Sequence, residues 1–183
     1  MKPSAFSIFF YLAVASFCFS GAGVLWAEDS ASAKEKLRSL SDQIIEADEK
    51  EDLPAALLAA EEAVRVAKEE IGPTSLKAAD AMNNLANLYM IANRAPEAAK
   101  LYQQAILINV EKMDPNSTDM AEIYSNLGAA YAMQKKYKVA IDILRKARAI
   151  YLEKQGLAGE ESKRTEEMIT ELTRIVYPEE ERL

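Results

Sequence analysis

A shift of 42 residues lays this chain over itself, and that self-similarity limits the fold more than any local pattern does. Asn84-Leu85-Ala86-Asn87-Leu88-Tyr89 falls on Asn126-Leu127-Gly128-Ala129-Ala130-Tyr131, and Ala98, Ala105 and Ile108 fall on Ala140, Ala147 and Ile150. The reverse shift carries Pro96 to Pro54, Ala98 to Ala56, Ala105 to Ala63 and Pro115 to Pro73. Three units result, at 37–72, 79–114 and 121–156, with a half unit at 163–177. A unit of this size cannot bury an apolar face by itself, so the units must stack on one another.

Each unit reads as two amphipathic helices. In the second, Met82, Leu85, Ala86 and Tyr89 recur at helical spacing, followed by Ala98, Leu101, Tyr102, Ala105 and Ile108. Only 6 Gly and 6 Pro interrupt the 183 residues, and several of them mark breaks. Ser32-Ala33-Lys34-Glu35 has capping-box spacing, Gly72-Pro73 ends a helix, and Thr74 or Ser75 can cap the next. Asp114-Pro115-Asn116-Ser117 repeats that break. Inside the units, Asp52 before Pro54 and Asn93 before Pro96 leave room for short turns only, which force antiparallel hairpins. The expected fold is all-α: a solenoid of three stacked antiparallel hairpins, closed by a capping helix at 160–177 that Pro178 stops. Ile169, Leu172 and Val176 of that helix should point inward, and Glu166, Glu167, Glu171 and Arg174 to water. The small residues at 86, 98, 105, 128, 140 and 147 should let neighbouring helix backbones come close.

At these residues the chain resembles the tetratricopeptide repeat family. Leu127-Gly128, Tyr131, Ala140 and Ala147 follow that family's pattern, as do Leu85-Ala86, Tyr89, Ala98, Tyr102 and Ala105. The 42-residue spacing and Asn83-Asn84-Leu85-Ala86 resemble the longer variety found in kinesin light chains. The likeness covers roughly 37–177 and is strongest in units two and three. Unit one departs from it, with Gln43-Ile44 and Ala47 in place of the Leu-Gly pair and the tyrosine, so its first helix is expected to pack differently. Met82 and Tyr124 stand where the family often carries Trp. The resemblance implies a groove lined by the first helix of each unit, and protein or peptide partners. The family's Lys/Arg clamp for a C-terminal carboxylate is missing and is not carried over.

The first 27 residues read as a leader. Lys2 precedes 25 residues without a charge, with an apolar run from Ile8 to Phe19 and a small-residue exit. Those are the marks of a secretory signal, cleaved after Ala22 or Ala27. The rival is an uncleaved anchor at 5–27, which would make the protein a membrane-tethered structural subunit of an envelope complex. Cys18, preceded by Phe17, reads as apolar filler rather than a lipidation site. The localisation expected is periplasmic or secreted.

Histidine is absent and Cys18 is the single cysteine, so the commonest general base and the strongest nucleophile are missing from the folded part. No Cys/His zinc site, EF-hand spacing or cofactor motif exists, and the carboxylate pairs Glu61-Glu62 and Glu69-Glu70 fit solvated helix faces. An enzyme is not expected, and neither a metal nor a cofactor. A net charge of −7, with no aromatic residues interleaved among exposed bases, argues against nucleic acid. The groove candidates are Asn83, Asn87 and Met90, with Ser125 and Ala129 from the third unit. Asn84 recurs as Asn126, which suggests an architectural hydrogen bond. Asn83 and Asn87 do not recur, and an amide suits the backbone of an extended peptide. Met90 and Met133 either add an adaptable contact or fill core gaps. Residues 135–154 hold seven bases against two acids, while 28–72 hold 13 acids against six bases. Lys135, Lys136, Lys138 and Arg145 are thus a second candidate surface, for an acidic partner, an anionic membrane or the acidic first unit of another copy in head-to-tail association. The alternative is a solvated face with snorkelling lysines.

Overall fold

The computed structural model describes residues 31–157 and 159–178. The leader, its cleavage positions and Cys18 lie outside them. Helix α1 runs over 31–49 and α2 over Leu53–Val66, prolonged by a wide π turn, Ala67–Ile71. Then follow α3 (Leu76–Ile91), α4 (Ala95–Lys112), α5 (Thr118–Met133), α6 (Tyr137–Gln155) and α7 (Glu160–Val176). Among the described residues there is no strand. Consecutive helices pack on each other from α2 onward, and α3 also touches α5. That is the stacked-hairpin solenoid which the repeat implies.

The caps act at the repeat's own spacing. Ser75 and Ser117 start α3 and α5 by accepting from the N–H of Ala78 and Met120, at 3.1 and 3.2 Å. Asp52 does the same for α2 through the N–H of Ala55, at 3.0 Å. Gly72 ends the π turn at φ 137°, a conformation glycine alone takes readily, and its N–H donates to Ala67 O. The expected capping box at Ser32 is not used: residue 31 is already helical, so Ser32 lies inside α1. Within the hairpins, the turn residues Glu51, Asn93 and Lys135 sit in the left-handed region at φ 54°, 62° and 60°. The next residue's N–H reaches back five positions in each, Asp52 to Ala47 O, Arg94 to Tyr89 O and Lys136 to Tyr131 O. These paired closures are Schellman motifs, repeated once per unit.

A size-complementary contact joins the two helices of each hairpin. Gly128 of α5 lies under Leu144 of α6, and a Cβ built on it would stand 2.6 Å from Leu144 Cγ. In the second unit the matching pair is Ala86 with Tyr102, both buried in one cluster. The first unit reverses the sizes: Ile44 of α1 packs on the cluster that holds Ala60. So α1 does depart from the other units. Its Gln43 is exposed where Leu85 and Leu127 are buried, and Ala47 fills the tyrosine position. The alanines at 86, 98, 105, 140 and 147 are all fully buried.

Hydrogen bonds between units also recur. Tyr89 of α3 donates to Glu61 of α2 at 2.9 Å, and Gln103 of α4 donates to Tyr131 of α5 at 2.8 Å. Arg94 and Lys136 lie over the rings of those two tyrosines. In α7, Ile169 and Leu172 are buried and Val176 packs beside them, while Glu166, Glu167, Glu171 and Arg174 are exposed. Ser162 and Thr165 of α7 are buried as well, which the apolar stripe did not signal.

Intrinsic propensity favours Ala over Gly by about 1 kcal/mol inside a helix. At position 128 the clash with Leu144 should win, so Gly128→Ala should lower the unfolding free energy by about 1–3 kcal/mol. Urea denaturation followed by far-ultraviolet circular dichroism measures the sign directly.

Candidate functional site

Three adjoining recesses form a groove along α1, α3, α5 and α7. The first, about 630 Å³, lies between α1 and α3 and includes Lys34, Arg38, Ser41, Asp80 and Asn83. The third, about 500 Å³, lies between α5 and α7 and includes Glu122, Ser125, Ala129, Glu161 and Arg164. A smaller one of about 180 Å³ joins them between α3 and α5, floored by the end of α4. Asp80 and Asn83 belong to both the first and the middle recess, and Asp119 and Glu122 to both the middle and the last. The capping helix α7 is therefore also a wall of the groove.

The expected groove residues divide. Asn83 is half-buried on α3, and its Oδ1 is buried without a hydrogen-bond partner. Ser125 and Ala129 are half-buried and line the recess facing α7. Asn87 and Met90 line none of the three recesses. The Asn87 Oδ1 accepts from the Tyr102 hydroxyl at 2.5 Å and from Asn126 Nδ2 at 3.3 Å, so it joins α3, α4 and α5. Met90 packs against the cluster around Ala98 and Leu127. The architectural bond expected at both Asn84 and Asn126 occurs only at Asn126. The same offset of 39 residues from Asn84 leads to Ile45, which offers no polar atom to pair with. Asn84 is exposed instead.

Asn109, Asp80, Asp119 and Glu122 were not singled out by sequence. Asn109 is 4% exposed, faces the middle recess, and carries a second buried amide oxygen without a partner. Its one signal is a polar residue four positions after Ala105, on the apolar face of α4, where the repeat has Ala67 and Tyr151.

The four bases of the second candidate surface belong to the turn before α6 and to its N-terminal half. Lys135 occupies the left-handed turn residue and Lys136 the N-cap of α6, where its Nζ donates to Gln134 at 2.8 Å. Lys138 approaches the Tyr177 ring, and Arg145 stands two helical turns further on, 3.6 Å from Asp142. Among the described residues no group of three or more acidic, Cys or His side chains is arranged to hold a metal ion. No described helix is long and apolar enough to cross a membrane.

Residues 78–153 match a family profile described as Tetratricopeptide repeat. No curated protein matches the sequence. Similar solved structures include the TPR2B-domain:pHsp70-complex of yeast Sti1, at 21% identity and TM-score 0.60, over 77% of this chain and 98% of that one. BtubC (BKLC) from P. vanneervenii aligns at 19% identity and TM-score 0.66, over 87% of this chain and 68% of that one. TPR-like repeats assigned to a kinesin light chain of Podosopora anserina align at 15% and 0.68, over 75% of this chain and 65% of that one. At such identities the likeness is one of fold, an all-α tetratricopeptide-type solenoid.

Burial, with Glu122 and Glu161 close by, pushes the Tyr151 hydroxyl from 10.0 up to about 12. An unfolded tyrosine ionises near 10, so between pH 10 and about 12 the folded chain keeps a proton that the unfolded chain has lost. Stability should therefore fall as pH rises through that window. Tyr151→Phe should flatten the fall, and urea midpoints from pH 9 to about 12 check it.

Proposed function

We propose that this chain is an exported, non-catalytic docking module that holds an extended segment of a partner protein in the groove along α1, α3, α5 and α7. The observation that carries this reading is Asn83: it stands where two recesses meet, with its amide oxygen buried and unpaired. An amide carries a donor and an acceptor, which suits the backbone of an extended chain. Ser125 and Ala129 extend the same wall without adding bulk. The yeast Sti1 domain of similar fold forms a complex with pHsp70, which supports a peptide in this one. Catalysis has little to work with, since histidine is absent and the single cysteine lies in the leader.

A photo-crosslinking residue at Ser125 supplies the test, in the cell compartment where the protein resides. Asn83→Ala should weaken partner capture about tenfold, the loss of one good hydrogen bond in a desolvated groove, and leave thermal melting nearly unchanged. Asn87→Ala should act on the fold instead, costing about 1–2 kcal/mol through the Tyr102 and Asn126 bonds. Full capture by Asn83→Ala would move the site off the groove.

Export rests on the leader, with its single positive charge, apolar run and small-residue exit. N-terminal sequencing of the protein from its native cells should begin at Gly23 or Glu28. An intact Met1 or Lys2 would favour the anchored form.

A further inference from the structure

We infer that the chain pairs with a second copy of itself, edge to edge and antiparallel, through the three turns that join the helices of its hairpins. The pairing is independent of the groove reading, because it uses the ends of α1, α3 and α5 rather than the faces that line the recesses.

Stacking places the three turns on one edge. Gln134 in the third turn donates to Ala95 O at the start of α4, at 3.1 Å, so the second and third turns touch. Lys138 over the Tyr177 ring brings the end of α7 to the same edge. All three turns close with the same backward bond and the units repeat at 42 residues, so the second turn stands midway between the others. Their charges differ. Residues 42–52, around the first turn, hold six acids against the single base Lys50. Glu46 pairs with Lys50 at 2.5 Å, and among the described residues the other five acids meet no cation. In the second turn Arg94 and Glu97 neutralise each other at 3.1 Å. The third turn brings Lys135, Lys136 and Lys138, with no acid anywhere from 133 to 141. Lys136 reaches the Gln134 amide and the Tyr131 ring, Lys138 reaches the Tyr177 ring, and none of the three meets a carboxylate among the described residues. The edge therefore runs from negative to positive across a neutral middle.

An edge of that kind is complementary to itself when reversed. With the second turns face to face, the acids of each copy meet the lysines of the other, and the contact occurs twice about a two-fold axis that closes the pair. A parallel arrangement sets acid against acid and is repelled. Joining copies end to end makes one such contact per joint and leaves the assembly open. Exposed ion pairs contribute little by themselves, so the centre of the edge needs apolar surface as well. It has that surface: Ile91, the last residue of α3, is 66% exposed beside the second turn, and Met133, its equivalent on α5, is 45% exposed. The pairing leaves the groove of each copy open, so a partner with two segments could engage both grooves and gain in affinity without any new contact.

Sedimentation velocity of the native protein tests the pairing. It should sediment as a dimer at about 20 mM salt and as a monomer at about 500 mM, where exposed charges are screened. Asp48→Lys with Glu49→Lys and Glu51→Lys, and separately Lys135→Glu with Lys138→Glu, should each weaken self-association about tenfold and leave thermal melting nearly unchanged. Glu51 and Lys135 hold the same left-handed turn position, at φ 54° and 60°, so each turn already accepts the other's residue. Mixed one to one, the two variants should pair with each other, since the first keeps its lysines and the second its acids. Oxidised Ile91→Cys, in a chain carrying Cys18→Ser, should form a disulfide-linked dimer, whereas Leu107→Cys, exposed near the far end of α4, should not. A monomer at low salt would overturn the inference and leave the lysines to another acidic segment, such as residues 179–181 of the same chain. Sizes that keep growing with concentration would overturn it in favour of end-to-end joining. Reversals that stay dimeric alone, or that fail to pair when mixed, would overturn the contact between the first and third turns.

Discussion

How closely the two helices of each hairpin lie is decided at one contact, where a large side chain on one meets a small residue on the other. Gly128 under Leu144 is the extreme case, since even a methyl group would stand 2.6 Å from its neighbour. Ala86 with Tyr102 is a milder version, and Ile44 with Ala60 inverts it. Interiors packed this densely tolerate little change in volume, so the pair fixes the spacing of the hairpin. Once the hairpins have one thickness, the 42-residue spacing stacks them in register. The bonds from Tyr89 to Glu61 and from Gln103 to Tyr131 then span equivalent joints. The groove is a consequence of that regularity: it runs where α1, α3, α5 and α7 lie side by side, a little apart.

Elements of the fold that depend on local chemistry were legible in the sequence. Ser75 and Ser117 cap because a hydroxyl just ahead of a helix can reach the amide three residues on. The buried alanines follow from period and size alone. Ser32 shows the limit of the same reasoning. The capping-box letters are present, but the preceding residue is already helical, and the pattern cannot say where a helix starts when the chain upstream continues it.

The site was legible only in part, because an amide has two uses that look alike in a sequence. Asn83 and Asn87 both break the repeat and both stand one helical turn apart on α3. Only the neighbours tell them apart. Asn87 meets the Tyr102 hydroxyl and Asn126 and is consumed by the fold, whereas the Asn83 oxygen is left without a partner. Asn109 was hidden for another reason. It belongs to α4, whose apolar face reads as core, and its exposure to a recess depends on how three helices meet.

Comparison of equivalent positions now separates what the stack needs from what it leaves free. Residues that recur, such as Tyr89 and Tyr131 or Ala98 and Ala140, serve the joints, and changing them must disturb every unit they touch. Unrepeated polar residues cost the fold something, because each replaces a group that packed well elsewhere. Asn87 recovers its cost through two hydrogen bonds inside the molecule. The amide oxygens of Asn109 and Asn83 have no partner inside it. Both residues line one recess with Asp80, Asp119 and Glu122, and the third such atom among the described residues, Arg148 Nε, lies on α6 beside Glu166 of α7. Two of the three lie at the joint between units two and three, where the repeat pattern itself gives no reason for a buried amide.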